Sequence, residues 1–159
     1  MNLRTHVTAR PIDIGHEFDH IGPHGAVASF IGHVRVDDGV TTLTLEHHPQ
    51  MTGQALDDLA RAATARWSLA AVTLVHRVGP MAPGDAIVLV ATASAHRAAA
   101  LESCAYLIDR LKTDVPLWKC ETLEDGTKRW VEPRQGDAER AEGWIQANSI
   151  VRTRSERTV

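Results

Sequence analysis

The sequence predicts a single α+β domain with a mixed or antiparallel sheet, two main helices and β-hairpins. Three observations lead there. Runs of β-branched or alternating residues interleave with two segments of helical periodicity, Gly-containing turn signals separate neighbouring runs, and 159 residues suit one domain with its own core. No internal repeat or low-complexity block divides the chain. The domain is expected over residues 1–145, with a polar, flexible C-terminal tail over 146–159.

Residues 25–36, GAVASFIGHVRV, are small, apolar and β-branched; Asp37, Asp38 and Gly39 supply turn chemistry; and residues 40–48, VTTLTLEHH, alternate threonine with leucine. Together these predict a β-hairpin. A helix follows over about 52–67, where Leu56, Leu59, Ala60, Ala63 and Trp67 keep helical spacing. Thr52 is its expected N-cap, with Met51 and Leu56 placed as a hydrophobic staple. AAVTLVHRV (70–78) and AIVLVATA (86–93) read as strands separated by the loop GPMAPGD, and the second, apolar on both faces, is expected to be central. The next segment repeats Leu101, Cys104, Ala105, Ile108 and Leu111 at helical spacing, with Ser94 available to cap and Arg110 and Lys112 at the negative C-terminal end, so a helix is expected over about 95–112. Pro116 then opens the extended run PLWKCETL, which EDGT turns into KRWVE as a second hairpin.

Composition narrows the function classes. With 43% hydrophobic residues and no long apolar run, the chain reads as a soluble globular protein with no membrane span. Its N-terminus lacks the apolar core of a signal peptide, and two cysteines cannot form a multi-bridge framework, so a reduced, cytoplasmic location is expected. A formal charge of -3, from 17 basic and 20 acidic residues, removes the broad positive footprint that nucleic-acid binding needs. An anion site must therefore be local.

Two such sites are visible. His96 and Arg97 fall in the first turn of the second helix, where the macrodipole disfavours cations unless an anion is bound, and where exposed N–H groups suit a phosphate. Solvated side chains are the alternative. Arg35 offers a planar fork for phosphate, or is a surface arginine. The second site is LKTDVPLWKCE, which holds two lysines seven residues apart across a proline, too far round to share one helix face. Lys112 suits a helix C-terminus and Lys119 an edge strand. Yet Lys119, between Trp118 and Cys120, would lose hydration and with it part of its affinity for a proton, and alternation puts Glu121 on its face, where it could orient the amine. Cys120 is a weak nucleophile candidate, and Cys104 reads as core. His16, His20 and His24 have helical ligand spacing, but Gly22 and Pro23 interrupt that helix and nothing completes a zinc set, so no metal site is expected.

FIGHVR, LTLEHHPQMT, VHRVGPMAPGD, SAHR, LKTDVPLWKCE and RWVE, in this order over about residues 10–140, identify a resemblance to the MoaE family, the catalytic large subunit of molybdopterin synthase. The resemblance implies an α/β hammerhead fold and transfer of sulfur from the C-terminal thiocarboxylate of a small ubiquitin-like subunit, ending in Gly-Gly, to cyclic pyranopterin monophosphate. It implies Lys112 and Lys119 as the catalytic pair and no cofactor. It makes His33, Val34, Arg35, His96, Arg97, Cys120, Glu121 and Arg134 substrate-binding positions, with Phe30 and Ile108 lining the pocket and Arg134 supplied by a neighbouring large subunit. It further implies a homodimer within a heterotetramer. His33 stands where many relatives carry lysine and Cys120 where a basic residue is usual, which lowers the local positive charge. The distance between Arg97 and Lys112, about 22 Å at ~1.5 Å per residue along a helix, is too long for one small substrate. Either the helix breaks before Leu111 or the pocket is composite; the composite pocket is the expectation, with the lysines from one chain and His96 and Arg97, alone or with Arg134, from the other. The competing classes are a non-catalytic phosphate-metabolite binding module and a partner-docking module.

Overall fold

The computed structural model describes residues 1–35 and 39–155, with side chains described through residue 145. In chain order its elements are β1 (Asn2–Thr8), α1 (Ile14–Ile21), β2 (Ala26–His33), β3 (Val40–His47), α2 (Pro49–Trp67), β4 (Ala71–Arg77), β5 (Gly79–Met81), β6 (Ala86–Ser94), α3 (Arg97–Asp114), β7 (Leu117–Leu123), β8 (Lys128–Val131) and α4 (Gln135–Ser155). The strands form two four-stranded sheets, ordered β1-β4-β6-β2 and β5-β3-β7-β8. Among the described residues, only the β1–β4 pair is parallel. The α+β class is as expected, and β6 is central, as its two apolar faces require.

The expected hairpin of residues 25–48 does not form. β2 pairs with β6 in the first sheet, whereas β3 pairs with β5 and β7 in the second. Turn chemistry fixes only a local reversal, and here each strand pairs elsewhere, β2 with the nine-residue apolar β6 and β3 between β5 and β7. A register irregularity at Gly32/His33 ends β2, and the chain crosses between sheets through Val34, whose N–H donates to the Asp85 carbonyl at 2.9 Å. Asp37 and Asp38, part of the expected turn, lie outside the described residues. The second hairpin, β7 with β8, forms as predicted.

α2 begins three residues before the expected start. Pro49 occupies the first turn, and the His48 ring accepts the Met51 N–H at 3.3 Å as the cap. Thr52 is therefore not a cap. It is fully buried, and its hydroxyl donates to the Pro116 carbonyl at 2.9 Å, tying α2 to the turn between α3 and β7. Met51 is exposed and makes no staple. α3 buries Ala100, Ser103, Cys104, Leu107 and Leu111, one position away from the expected stripe, so that Leu101 faces solvent. Small Ala100 and Ser103 permit close approach to β6, where the Thr92 hydroxyl donates to the Ala100 carbonyl at 2.7 Å.

The main core lies where α2 and α3 cover one face of the first sheet, with Leu56, Leu59, Val72, Leu74, Val90 and Leu107 at its centre. α1, capped by Asp13, covers part of the opposite face through Ile21 against Ala71, Ala91 and Ala93. β1 and α1 have no counterpart in the sequence reading. α4 crosses residue 145, where the tail was expected to begin; the expected tail's side chains and residues 156–159 lie outside the described residues. An aromatic clamp holds α4: Trp67, Tyr106 and Trp144 meet with ring centroids 5.1–5.8 Å apart, and the Arg66 guanidinium lies 4.5 Å from the Trp67 centroid. Trp144 Nε1 also donates to Asp109 at 2.9 Å.

Replacing Thr52 by Val keeps the volume but leaves the Pro116 carbonyl without its donor. Chemical denaturation is expected to show a loss of about 1–3 kcal/mol. An unchanged midpoint would mean that α2 does not tether the α3–β7 turn.

Candidate functional site

A cleft of about 330 Å³ opens at the junction of the two sheets, below the C-terminal end of α3. Each wall follows from local sequence. The break after β2 delivers His33, Val34 and Arg35; the last turn of α3 delivers Lys112; alternation along β7 points Lys119 and Glu121 inward; and the segment from β8 into α4 brings Arg134 and Asp137. Val115 ends α3 in an extended conformation just before Pro116, so the chain turns at once from helix to strand and both lysines reach one space.

Lys112 Nζ donates to Asp137 Oδ1 at 3.2 Å. Lys119 remains exposed, and partial desolvation by the cleft walls lowers its pKa; Lys112, Arg134 and Arg35 push it in the same direction, and Asp137 opposes them. Glu121 shares the face of Lys119 as expected, but its carboxylate accepts from Arg129 Nε at 2.6 Å across the β7–β8 pair, so it does not orient the amine. His76 lies in the cleft floor, 5% exposed. Burial pushes its pKa down to about 4, helped by the charge of Lys119 and opposed by a hydrogen bond to the Arg77 carbonyl.

Other expected residues stand elsewhere. His96 and Arg97 are exposed at the opposite end of the 18-residue α3, where His96 is the N-cap without a side-chain capping bond and no acidic residue occupies the first turn. Gly25 shapes that end: a Cβ there would meet the Ala95 carbonyl oxygen at 2.5 Å. Cys120 is buried on the other face of β7 from Lys119 and does not line the cleft. Phe30 and Ile108 are likewise outside it; Phe30 is partly exposed on β2, and Ile108 packs against the main core. Arg134 was expected from a neighbouring chain, yet this chain's own Arg134 lines its own cleft. Cys104 is a core residue whose thiol is pushed up to about 11 by burial. Among the described residues, no three His, Cys, Asp or Glu side chains are grouped to hold a metal ion. Nor is any helix of those residues long and apolar enough to cross a membrane.

The model of the family described as MoaE protein matches residues 7–114, which contain Arg35, the α3 N-terminus and Lys112. The chain belongs to the MoaE family. A molybdopterin synthase catalytic subunit from Yersinia pestis is 43% identical over 149 residues, spanning 90% of this chain and 98% of that protein. The solved molybdopterin cofactor biosynthesis protein E from Burkholderia multivorans superposes with a TM-score of 0.77 at 40% identity, over 91% of this chain and 97% of its own. A molybdopterin synthase structure from Staphylococcus aureus gives 0.73 at 31% identity, over 79% and 95%. MoaE membership thus rests on the whole domain and not on the lysine motif alone.

Sequence reasoning missed His76, Arg129 and Asp137. The first had a signal, a ring interrupting the apolar run AAVTLVHRV; the other two had none, because their roles depend on cross-strand register and on the docking of α4.

His76 gives the fold a defined acid limit. The unfolded chain protonates this ring near pH 6.5 and the folded chain only near 4. The contribution is therefore intact above pH 6.5 and is lost progressively as pH falls toward 4, by about 3 kcal/mol in all. Denaturation midpoints measured across that window in wild type and His76→Asn should show the slope flattened in the variant. In the Lys112–Asp137 pair the lysine is exposed and the carboxylate half-buried, so solvent screens it and Asp137→Asn is expected to change stability by less than about 1 kcal/mol.

Proposed function

We propose that the chain is the catalytic subunit of a molybdopterin synthase, transferring sulfur from the C-terminal thiocarboxylate of a small ubiquitin-like subunit to cyclic pyranopterin monophosphate. The observation that carries this reading is the convergence of Lys112 and Lys119, from a helix end and a strand, on one cleft that also holds Arg35 and Arg134. The sulfur nucleophile arrives with the partner, so the chain needs no thiol of its own; Cys120, buried on the far face of β7, is not required to react. Its own residues bind, exclude water and move protons. Lys112 polarises or protonates oxygen leaving the pterin side chain, or holds the spent carboxylate. The lowered proton affinity of Lys119 suits an amine that gives up its proton more readily than an ordinary lysine.

In this reading Asp137 stands in for an anion. Its carboxylate sits on Lys112, where an incoming carboxylate or thiocarboxylate terminus would bind, and must yield when that terminus enters. The phosphate belongs at His96 and Arg97, which form an uncapped, acid-free helix N-terminus. One chain's α3 separates them from its own lysines by about 22 Å. A homodimer in which each cleft is completed by the neighbour's His96 and Arg97 resolves that distance. The full assembly would be a cytoplasmic heterotetramer with one small subunit per cleft. A phosphate anchor away from the reacting carbons also retains the half-sulfurated intermediate while one spent partner leaves and the next arrives.

Lys112→Ala is expected to abolish turnover with the thiocarboxylated partner while leaving partner binding nearly unchanged; retained turnover would remove Lys112 from the chemistry and leave it a binding or docking group. Co-expressing Lys112→Ala with Arg97→Ala chains tests the composite cleft. A mixed dimer has one cleft with both lesions and one with neither, so about half the activity per mixed dimer should return. No recovery would place anchor and lysine in the same chain.

A further inference from the structure

Alternation along β4 sends His76 after Val72 and Leu74 onto the face that α2 and α3 cover, at the end of the sheet where α3 stops. Its ring thereby enters the cleft floor among Val34, Leu111 and Val115, all three buried and apolar. Every other ionisable side chain of the cleft wall is exposed or half-buried; His76 alone is buried. The Arg77 carbonyl can only accept, so its 2.9 Å contact with His76 Nδ1 places the proton of the neutral ring there. Nε2 keeps a lone pair and makes no hydrogen bond within the chain. Nor is it sealed off, because among the described residues the one buried side-chain nitrogen or oxygen without a partner is Arg77 Nε. Burial holds the ring neutral down to a pKa of about 4, so the lone pair is present throughout the neutral range. An immobile acceptor thus opens onto the cleft from an apolar floor, with nothing of the chain's own to satisfy it.

We propose that His76 contacts the substrate directly, Nε2 accepting a hydrogen bond from an N–H group of the uncharged heterocycle while the cations of the rim hold the anionic parts. The division follows from charge. Lys112, Lys119, Arg35 and Arg134 attract any polyanion but do not fix how its neutral part is turned. One rigid acceptor in an apolar wall does fix it, and an analogue of equal charge without the N–H leaves that acceptor unpaired. The carboxylates of the wall do not replace it: Glu121 is held by Arg129, Asp137 by Lys112, and Glu132 is exposed on the rim.

The inference rests on the reading of the substrate as a pterin, but its test needs no sulfur transfer. The chain has nine histidines, and the ring signals lost in His76→Asn identify those of His76 in ¹⁵N-histidine-labelled protein. In the free wild type Nδ1 should be protonated and Nε2 not. Unsubstituted pterin should move the Nε2 resonance toward that of a hydrogen-bonded nitrogen, and inorganic phosphate, the probe for the rim, should not. A ring protonated on Nε2, no binding of pterin, or binding that leaves Nε2 unmoved overturns the proposal. His76→Asn keeps a donor for the Arg77 carbonyl and removes Nε2, so affinity for pterin is expected to weaken about threefold to tenfold while affinity for phosphate is retained. His76→Gln, which can set an acceptor near the Nε2 position, should recover most of the loss. Unchanged pterin affinity in His76→Asn, or an equal loss for pterin and phosphate, assigns the ring to the fold alone and overturns the contact. Sulfur transfer by a wild type whose Nε2 ignores pterin removes this inference and leaves the function standing; a pterin-dependent Nε2 shift in a chain that transfers no sulfur does the reverse.

Discussion

An uninterrupted α3, seated on the first sheet through Ala100, Cys104, Leu107 and Leu111, determines where the charged groups of the site can stand. The helix is anchored near its start by Thr92 under the Ala100 carbonyl and just past its end by Thr52 holding the Pro116 carbonyl. Each anchor resists a shift along the axis, because it is a hydrogen bond at least partly withdrawn from water, fully so for Thr92. Lys112 is consequently delivered at a set height above the cleft floor, and Pro116 redirects the chain so that Lys119 faces it. The same rigidity holds His96 and Arg97 away from that cleft.

The cleft concentrates positive charge in a chain whose formal charge is -3. Lys112, Lys119, Arg35 and Arg134 repel one another, and that repulsion is tolerated because Asp137 offsets part of it and because Lys119 holds its proton less tightly. Such a site is poorly satisfied when empty and well satisfied by a multiply anionic ligand. Burial of His76 in neutral form fits the same economy, since a protonated ring in the floor would add one more cation to an overcrowded set. Cys120, on the other face of its strand, takes no part in that balance.

Much of this was legible in the sequence where the signal is periodic or chemically peculiar. The central apolar β6, the helix carrying Cys104 and Leu111 and the Asp-Gly hairpin follow from spacing or from residues with one conformational use, whereas the meeting of Lys112 and Lys119 in one pocket was implied by the family resemblance and not by their spacing. What escaped depended on choices between partners. β2 and β3 look like a hairpin because each would accept the other, and only the presence of β6 and β7 decides otherwise. Thr52 looks like a cap because threonine caps helices, whereas the helix starts with His48 and Pro49 and takes the hydroxyl inside. Glu121 lies on the right face, but the register of β8 gives it to Arg129. Arg134 and Asp137 enter the cleft because Trp67, Tyr106 and Trp144 dock α4, a contact between residues far apart in the chain.

That aromatic clamp also divides the molecule optically. Of the four tryptophans, Trp67 and Trp144 stack edge-on within it, while Trp118 and Trp130 are 52% and 58% exposed on the β7–β8 hairpin. Intrinsic emission is thus the sum of a shielded, blue-shifted pair beside a guanidinium and a hydrated, red-shifted pair beside the lysine strand. Release of α4 would shift and quench the first pair alone, and burial of the hairpin face by another protein would shift the second alone. The chain therefore carries two native fluorescence channels, one for the wall that supplies Asp137 and one for the strand that supplies Lys119, and needs no attached dye to tell their movements apart.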